Sequence, residues 1–308
     1  MKVYYDLSKV NEISKEMVLA IGAFDGVHKG HRYLLYEAKK IAEKNNQVFA
    51  VFTFSNVPKF VGNTNEGLIF SEKFRNKIFE SLGVEILINI DFTDEIKNID
   101  RVDFINMLCD KLNLKTIVIG KDFKFGKHAS GDVEFLKANS NKFCFDVKVV
   151  DFYMLNGEKI SSRTIREFLN QGKVDDAYKL LGEYYCVNGI VIKGDMVGRT
   201  LGFKTANLAI NKQQRIIKSG VYMSKVFYNN VYYNSITNVG FRPTVCGEKL
   251  LVETHILDFD KNIYDEEIFV MFLCKIRDEK KFDSLTELSN QIRYDISFVK
   301  EKIISLSI

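Results

Sequence analysis

Apolar and polar positions are arranged in two different ways along the chain. In the first half, short apolar runs are followed by segments whose apolar residues recur every three or four positions. The first such pair is an apolar run at residues 17–23 and a helical stripe through Leu34, Leu35, Ala38 and Ile41. This succession predicts a buried strand followed by an amphipathic helix.

The same succession continues to about residue 150. Further strands are predicted at 47–54, 84–90, 116–119 and 145–150, with helices around Ile78 and Leu108 between them. Strands that alternate with helices indicate a parallel sheet with right-handed crossovers, the doubly wound α/β pattern. Ligands bind such sheets at the carboxyl ends of the strands, where polar loops fall at 25–31, 55–65 and 120–131.

Beyond Gly182 the spacing changes. A short helix at 174–181 ends at Gly182, a residue typical of helix C-caps. β-rich runs separated by Gly, Asn and Asp follow it at 186–192, 220–227, 231–237, 250–257 and 268–276. They predict an antiparallel barrel or sandwich, and a last stripe predicts a helix at about 284–305. We therefore expect two domains, at 1–182 and 183–308.

Composition narrows the function classes. The 308 residues are 46% hydrophobic and 27% charged, which is ordinary for a globular protein of two domains. The net charge of +4 suits anionic small molecules and is too small to indicate nucleic-acid binding. Five scattered cysteines, the lack of an apolar run of transmembrane length and the lack of a signal-peptide pattern predict a cytoplasmic protein with no membrane partner. Weak or transient self-association stays open.

The first chemical signal is the segment GAFDGVHKGH at residues 22–31. Glycines between a strand and a helix let the backbone approach a phosphate, and the first N–H groups of the helix point at it. His28 and His31, two of only four histidines, would face the same way at this helix start. A zinc site would need further ligands, and the nearest cysteine is Cys109. The segment therefore predicts a nucleotide-phosphate site.

This segment resembles the HxGH signature of the adenylyltransferase superfamily. Its full form is most similar to the bacterial bifunctional riboflavin kinase/FAD synthetase family. The resemblance implies a Rossmann-like nucleotidyltransferase domain followed by an antiparallel β-barrel domain with a long terminal helix. It also implies catalytic roles for His28 and His31, and ATP contacts from Gly22, Phe24, Asp25 and Gly30.

Two more segments of the first half match this family. Alone, GKDFKFG at 120–126 is equally typical of a flexible loop, and the serines of KISSRTIR at 159–166 are typical helix caps. The first resembles the family's G-x-D-F-x-F-G, which implies flavin contacts from Asp122, Phe123 and Phe125. The second resembles its I-S-S-T-x-I-R, which implies ATP contacts from Lys159, Ser161, Ser162 and Arg166.

The second half carries the other half of the resemblance. GRTLGFKTAN at 198–207 is similar to the riboflavin kinase motif G-R-x-L-G-F-P-T-A-N, and ETHILDF at 253–259 to E-x-H-x-L-D-F. The resemblance implies that Glu253 is the catalytic base and that Arg277 and Glu279 lie at the flavin. Thr205 and Asn207 offer neutral oxygens to Mg²⁺. The implied ATP contacts are Gly194, Gly198, Arg199, Gly202, Thr205 and Asn207.

The activity so implied is phosphorylation of riboflavin to FMN by ATP, then adenylyl transfer from a second ATP to give FAD and pyrophosphate, with Mg²⁺. Three departures bear on it: Arg163 in place of Thr, no His before Pro58, and Lys204 in place of Pro. One alternative is a riboflavin kinase with weak or lost adenylyl transfer. Others are a nucleic-acid-binding or flavin-binding protein without turnover, and a different nucleotidyltransferase, which would explain the first domain only.

Overall fold

The computed structural model describes residues 1–10, 15–56, 67–194, 201–211, 213–244 and 247–306. These residues form two compact units. The first contains 1–68 and 72–162, and the second contains 69–71 and 163–308. None of the described helices is long and apolar enough to cross a membrane. Four cysteines lie in the described residues, and none of them forms a disulfide bond with another: Cys109, Cys144, Cys186 and Cys274.

The first unit is an α/β structure. Its elements are β1 (Lys2–Tyr4), β2 (Met17–Ile21), α1 (Lys29–Asn45), β3 (Val48–Phe54), α2 (Glu72–Ser81), β4 (Ile86–Ile90), α3 (Asp94–Asn98), α4 (Arg101–Lys111), β5 (Leu114–Gly120), β6 (Lys124–Phe125), β7 (Gly131–Asp132), α5 (Val133–Phe143), β8 (Asp146–Val150), β9 (Met154–Leu155) and β10 (Glu158–Lys159).

One parallel sheet organises this unit, with strand order β1-β4-β3-β2-β5-β8. All five residues of β2 and of β4 are buried, as a sheet covered by helices on both faces requires. Helix α1 buries Leu34, Leu35, Ala38 and Ala42. Because the chain runs from β2 to one side and later returns to the other, the loop after β2 lies at the switch point of the sheet.

The second unit contains a closed barrel. Its elements are α6 (Ser162–Gln171), α7 (Val174–Leu181), β11 (Tyr185–Ile192), β12 (Ala206–Ile210), β13 (Gly220–Tyr228), β14 (Val231–Thr244), β15 (Gly247–Ile256), β16 (Glu267–Arg277) and α8 (Leu285–Leu306). The barrel closes in the order β11-β12-β15-β14-β13-β16, and each pairing is antiparallel. The predicted fold class, a Rossmann-like domain followed by a barrel and a terminal helix, is confirmed.

Several short or polar elements escaped prediction, and for three of them the reason is local. β1 has only three residues, and α5 carries the polar run Asn139–Ser140–Asn141, which hides its apolar stripe. β12 follows directly on the Gly-rich segment, so its five residues look like the end of a loop. The C-cap expected at Gly182 is present: its φ is 73° and its N–H donates to the carbonyl of Tyr178 at 2.8 Å.

Candidate active sites

The loop after β2 brings both imidazoles to the N-terminal end of α1. His28 is the N-cap of this helix, and its Nδ1 accepts a hydrogen bond from the backbone N–H of His31 at 3.2 Å. The two rings stack with centroids 3.6 Å apart and 15° between their planes. The stacked rings therefore lie next to the first backbone N–H groups of α1, which have no carbonyl partner within the helix.

Both imidazoles are neutral at pH 7. Burial lowers the pKa of His28 from 6.5 to about 4. Burial, and then the neighbouring His28, lower the pKa of His31 well below its ordinary value. Because Nδ1 of His28 already accepts a hydrogen bond, the proton of the neutral ring sits on Nε2. His28 thus offers an N–H donor that carries no charge in the free protein.

Two glycines and a phenylalanine of this loop determine where the imidazoles can lie. A Cβ at Gly30 would stand 3.2 Å from the His28 ring, so a side chain there would push the imidazole aside. The ring of Phe24 is buried and meets the His31 ring edge-on at 5.2 Å. A Cβ at Gly22 would stand 2.9 Å from the Phe24 ring. Gly22 therefore leaves room for the Phe24 ring, which in turn packs against the His31 ring.

A buried arginine ties together the strand ends that carry this loop. Arg75 on α2 is 1% exposed. Its guanidinium donates to the carbonyls of Ala23 at 3.3 Å, Phe54 at 2.8 Å and Ser55 at 3.4 Å. Burial lowers its pKa, and the nearby carboxylates of Asp25 and Glu72 oppose that shift. Arg75 therefore holds together the chain segments at the carboxyl ends of β2 and β3.

Replacing Arg75 by methionine is expected to leave these carbonyls without their buried donor. Breaking such a set of hydrogen bonds to a buried charge costs about 2–4 kcal/mol, so the first unit should unfold at lower temperature. FAD formation should fall with it, while FMN formation from riboflavin stays. Thermal unfolding together with product analysis checks this, with exposed Arg293→Met as the matched control. A variant as stable as the wild type would contradict the role given to Arg75.

Asp122 in the loop after β5 and Lys159 on β10 form a second group of predicted residues. Lys159 Nζ lies 2.6 Å from Asp122 Oδ2 and 3.7 Å from the centre of the Phe152 ring. The charges of Lys159 and Asp122 both act on the pKa of His28, in opposite directions. Asp122 and Lys159 therefore belong with the imidazoles.

The two phenylalanines of that loop have different environments. Phe125 is buried in the core of the unit and packs against Phe104 and Phe135. Phe123 is half-buried and stacks on Phe125, with centroids 5.5 Å apart. Phe123 is therefore the more accessible of the two rings, and Phe125 packs against it.

The serine–arginine segment begins α6. The helix starts at Ser162, so Ser161 precedes its first turn, and Arg166 is buried in the second unit. Arg163, the departure from the family pattern, is exposed, and its Nε pairs with Glu167 at 3.1 Å. The charge of Arg163 therefore lies on the exposed surface of α6.

In the second unit, three polar side chains form a row across adjacent strands. Asn207 on β12 stands opposite Glu253 on β15, which stands opposite Asn238 on β14. Residues opposite one another share a face of the sheet. The Oγ1 of Thr205 donates to Oε1 of Glu253 at 2.5 Å. The predicted base and both predicted metal ligands therefore meet at one place.

Gly194 gives Asn207 its room. A Cβ at Gly194 would stand 2.2 Å from the amide nitrogen of Asn207, which is itself buried. Gly202 has a φ of 86°, a backbone conformation that favours glycine. Gly198 and Arg199 lie outside the described residues, as does the region of Pro58.

We expect Gly194→Ala to displace the Asn207 amide and to slow FMN formation at least about tenfold, because small misplacements in a phosphoryl-transfer site are costly. FAD formation from supplied FMN should not change, which makes the first unit an internal control. Initial rates with each flavin substrate check this. An unchanged rate of FMN formation would show that the position of Asn207 does not matter.

Two cavities of the second unit share Gly194, Thr205 and Asn207 in their walls. The larger, about 490 Å³, is lined by Glu253, Asn238, Arg277 and Glu279 together with apolar side chains. The smaller, about 270 Å³, is lined on its far side by Lys204, Phe259, Asp260, Lys261 and Tyr264. Glu253 therefore lines the larger cavity only, and it is hydrogen-bonded to Thr205 in the wall that the two cavities share.

Arg277 and Glu279 are held in place at the larger cavity. The guanidinium of Arg277 makes a double contact with Asp295 on α8, at 3.0 and 2.8 Å to Oδ2. Asp295 is 3% exposed and also accepts a hydrogen bond from Gln291 at 2.9 Å. The Glu279 carboxylate lies against Gly240, where a Cβ would clash with it.

Sequence reasoning missed Arg75 and Asp295. Both are charged residues on helices, and residue type alone does not distinguish them from solvated side chains. Asp295 falls on the same face of α8 as Ile292 and Ile296, and an acid within an apolar stripe is the signal that could have found it. Arg75 follows Phe74 in the stripe of α2 and gives a similar, weaker signal.

Comparison with known proteins covers both units. Residues 10–164 match the family model described as FAD synthetase, and residues 181–303 match the one described as riboflavin kinase. Proteins named bifunctional riboflavin kinase/FMN adenylyltransferase are similar over nearly their whole length. The relative from Buchnera aphidicola subsp. Schizaphis graminum is 36% identical, covering 98% of each chain. The relative from Bacillus subtilis is 34% identical, covering 93% of this chain and 92% of its own.

A solved structure shows the same fold. It is described as a macrolide-efflux protein from Streptococcus pneumoniae, is 32% identical and has a TM-score of 0.87. The match covers 97% of this chain and 98% of the other. Both family models, with full-length relatives that carry both names, support two activities over a kinase alone. The chain belongs to the bifunctional riboflavin kinase/FMN adenylyltransferase family.

Proposed function

We propose that residues 183–308 phosphorylate riboflavin to FMN and that residues 1–182 transfer an adenylyl group from ATP to FMN, giving FAD and pyrophosphate. The observation that carries this proposal is that each unit brings a set of polar side chains together at one place. One has a carboxylate beside a hydroxyl and an amide, and the other has stacked imidazoles at a helix start.

In the kinase step, Glu253 accepts the proton of the primary hydroxyl of riboflavin as that oxygen bonds to the γ-phosphorus of ATP. The bond from the γ-phosphorus to its bridging oxygen breaks, and ADP leaves. In the free protein the Glu253 carboxylate is held by Thr205. This hydrogen bond sets the direction of the carboxylate before substrate arrives.

Thr205 and Asn207 fit a magnesium site that is completed by substrate. Mg²⁺ prefers oxygen ligands and in nucleotide sites takes several of them from phosphates and water. The hydroxyl of Thr205 and the amide oxygen of Asn207 are neutral oxygens on the wall that both cavities share. The described residues hold no group of three or more His, Cys, Asp or Glu side chains that could bind a metal by itself. A bound Mg²⁺ would neutralise charge on the ATP phosphates.

The two cavities support different ligands. The larger cavity has the volume of a small-molecule pocket and combines apolar walls with Arg277 and Glu279, as an isoalloxazine ring would require. Cations line both cavities, and we assign ATP to the smaller one, where Lys204 and Lys261 lie beside the polar side chain of Asn262. Gly194, Thr205 and Asn207 between them are placed to contact the phosphates, with Gly198, Arg199 and Gly202 from the same segment as further proposed ATP contacts.

In the adenylyl step, a phosphate oxygen of FMN bonds to the α-phosphorus of ATP, and the bond to the α–β bridging oxygen breaks. The Nε2–H of His28 and the His31 ring donate to phosphate oxygens as charge builds there. The backbone at Gly22, Asp25 and Gly30 and the ammonium of Lys159 flank these phosphates. The further proposed contacts are Phe24, Ser161, Ser162 and Arg166 for ATP, and Asp122, Phe123 and Phe125 for FMN.

The setting of the enzyme is also proposed. Cysteines that form no disulfide among the described residues, and the small net charge, support a cytoplasmic enzyme whose partners are small molecules, without nucleic acid or a membrane.

Product analysis with riboflavin, ATP and Mg²⁺ tests the proposal. FMN and ADP should appear first, followed by FAD and pyrophosphate, and chelation of Mg²⁺ should stop both steps. FMN without any FAD would contradict the second step. RNA binding with no consumption of ATP would contradict both.

A further inference from the structure

Lys204 lies at the smaller cavity of the second unit and directly precedes Thr205 in the chain. Its ammonium forms an ion pair with the carboxylate of Asp260, which lines the same cavity. Its backbone carbonyl accepts a hydrogen bond from Nδ1 of His255 at 2.7 Å. The backbone at this position is therefore anchored, and the long side chain is the part that can move.

The pair is open to water. The side chains of Lys204 and Asp260 are 65% and 84% exposed. Ion pairs of this kind contribute little to stability, so separating the two groups costs little. A lysine that exchanges a single carboxylate for a chain of phosphate oxygens gains several acceptors and more opposite charge.

We propose that Lys204 binds the ATP phosphates in the kinase step, and that Asp260 competes with ATP for the same ammonium. This inference rests on the proposed kinase function of the second unit. When ATP enters the smaller cavity, Lys204 leaves Asp260 and turns to the phosphates next to Thr205. The proline of the family pattern offers no such cation, so this contact is a property of this chain.

Asp260 determines the direction in which the affinity for ATP should change. Asp260 is an exposed aspartate and is charged at neutral pH, and the Lys204 ammonium lowers the pKa of its carboxyl further. A neutral side chain at 260 would release Lys204 to ATP. The lysine and the aspartate are therefore expected to affect ATP in opposite directions.

The test is the KM for ATP in the conversion of riboflavin to FMN, for Lys204→Ala, Lys204→Arg and Asp260→Asn. An exposed charge-assisted contact predicts a KM about 3–5 times higher for Lys204→Ala, and near the wild-type value for Lys204→Arg. Asp260→Asn should lower the KM about twofold, since competition is lost. The KM for riboflavin and the rate of FAD formation from supplied FMN should stay unchanged.

Lys300 and Asp258 provide a matched control. They form another exposed ion pair of the second unit, at 3.8 Å, and line neither cavity. Lys300→Ala and Asp258→Asn should leave the KM for ATP unchanged. Equal effects in the control pair would reduce the result to net charge and overturn the proposal.

Three further results would overturn it. They are a wild-type KM in Lys204→Ala, an equal rise in Lys204→Ala and Asp260→Asn, or an effect at Lys261→Ala in place of Lys204→Ala. In each of these the kinase activity itself persists, so the proposed function would stand. If the wild-type chain makes no FMN, the proposed function fails, and this inference fails with it.

Discussion

Glu253→Gln is expected to lower FMN formation from riboflavin about 10³-fold and to leave FAD formation from FMN intact. The amide keeps the size of the side chain and can still meet the Thr205 hydroxyl, but it cannot accept the proton of the attacking alcohol. General-base catalysis typically supplies about 10²–10⁴ in rate, so its loss should dominate. Single-turnover rates with riboflavin and with FMN as separate substrates measure the two effects in one preparation.

Two variants control this result. Glu301→Gln removes an exposed carboxylate of α8 and should have no effect. Glu253→Asp keeps the carboxylate but withdraws it from the alcohol, and should fall between the wild type and Glu253→Gln. Retention of more than about a tenth of the FMN-forming rate in Glu253→Gln would rule out a base at this position.

His28→Ala is expected to produce the opposite pattern. FAD formation should fall about 10²–10³-fold, the typical cost of removing a preorganised donor, and FMN should accumulate from riboflavin at the wild-type rate. The variant also removes the N-cap of α1, so the His31 backbone N–H loses its partner. His128→Ala is the matched control, since His128 is an exposed histidine of the same unit.

The pH dependence distinguishes this account from one that uses charged imidazoles. With the pKa of His28 at about 4 and that of His31 also depressed, both rings of the free enzyme are neutral from about pH 5.5 upward. In the wild type, no change in kcat/KM for FAD formation between about pH 5.5 and about pH 8 should be due to His28. The wild type and His28→Ala should therefore have pH profiles of the same shape over this range. A loss centred near the ordinary histidine pKa would mean that the imidazoles act as cations.

The fold could be predicted because its signals are local. The buried run of β2 and the stripe of α1 each report their own burial, and strand–helix alternation leaves few topologies. The change at Gly182 from helical stripes to short β-rich runs likewise follows from neighbouring residues. Elements whose burial depends on distant partners were missed, such as the three-residue β1, which is held by its pairing with β4.

The arrangement of the site residues could likewise be predicted only where neighbouring residues in the chain determine it. His28 and His31 lie three residues apart, at the N-cap and in the first turn of α1, so local geometry is enough to bring their rings together. The row of Asn207, Glu253 and Asn238 depends on the register of three strands, which no periodicity reveals. The sequence also marked Lys204 as a departure, but its ion-pair partner is 56 residues further along the chain, and only the fold shows which cavity they share.

Mixing the Glu253→Gln and His28→Ala proteins tests the central claim, two separate sites in one chain, most directly. Each protein alone should make FAD from riboflavin and ATP at least about 10²-fold more slowly than the wild type. The mixture should make it much faster than either protein alone, because His28→Ala supplies FMN and Glu253→Gln adenylylates it. A mixture that stays as slow because His28→Ala makes no FMN, or because Glu253→Gln cannot use FMN, would contradict two separate sites.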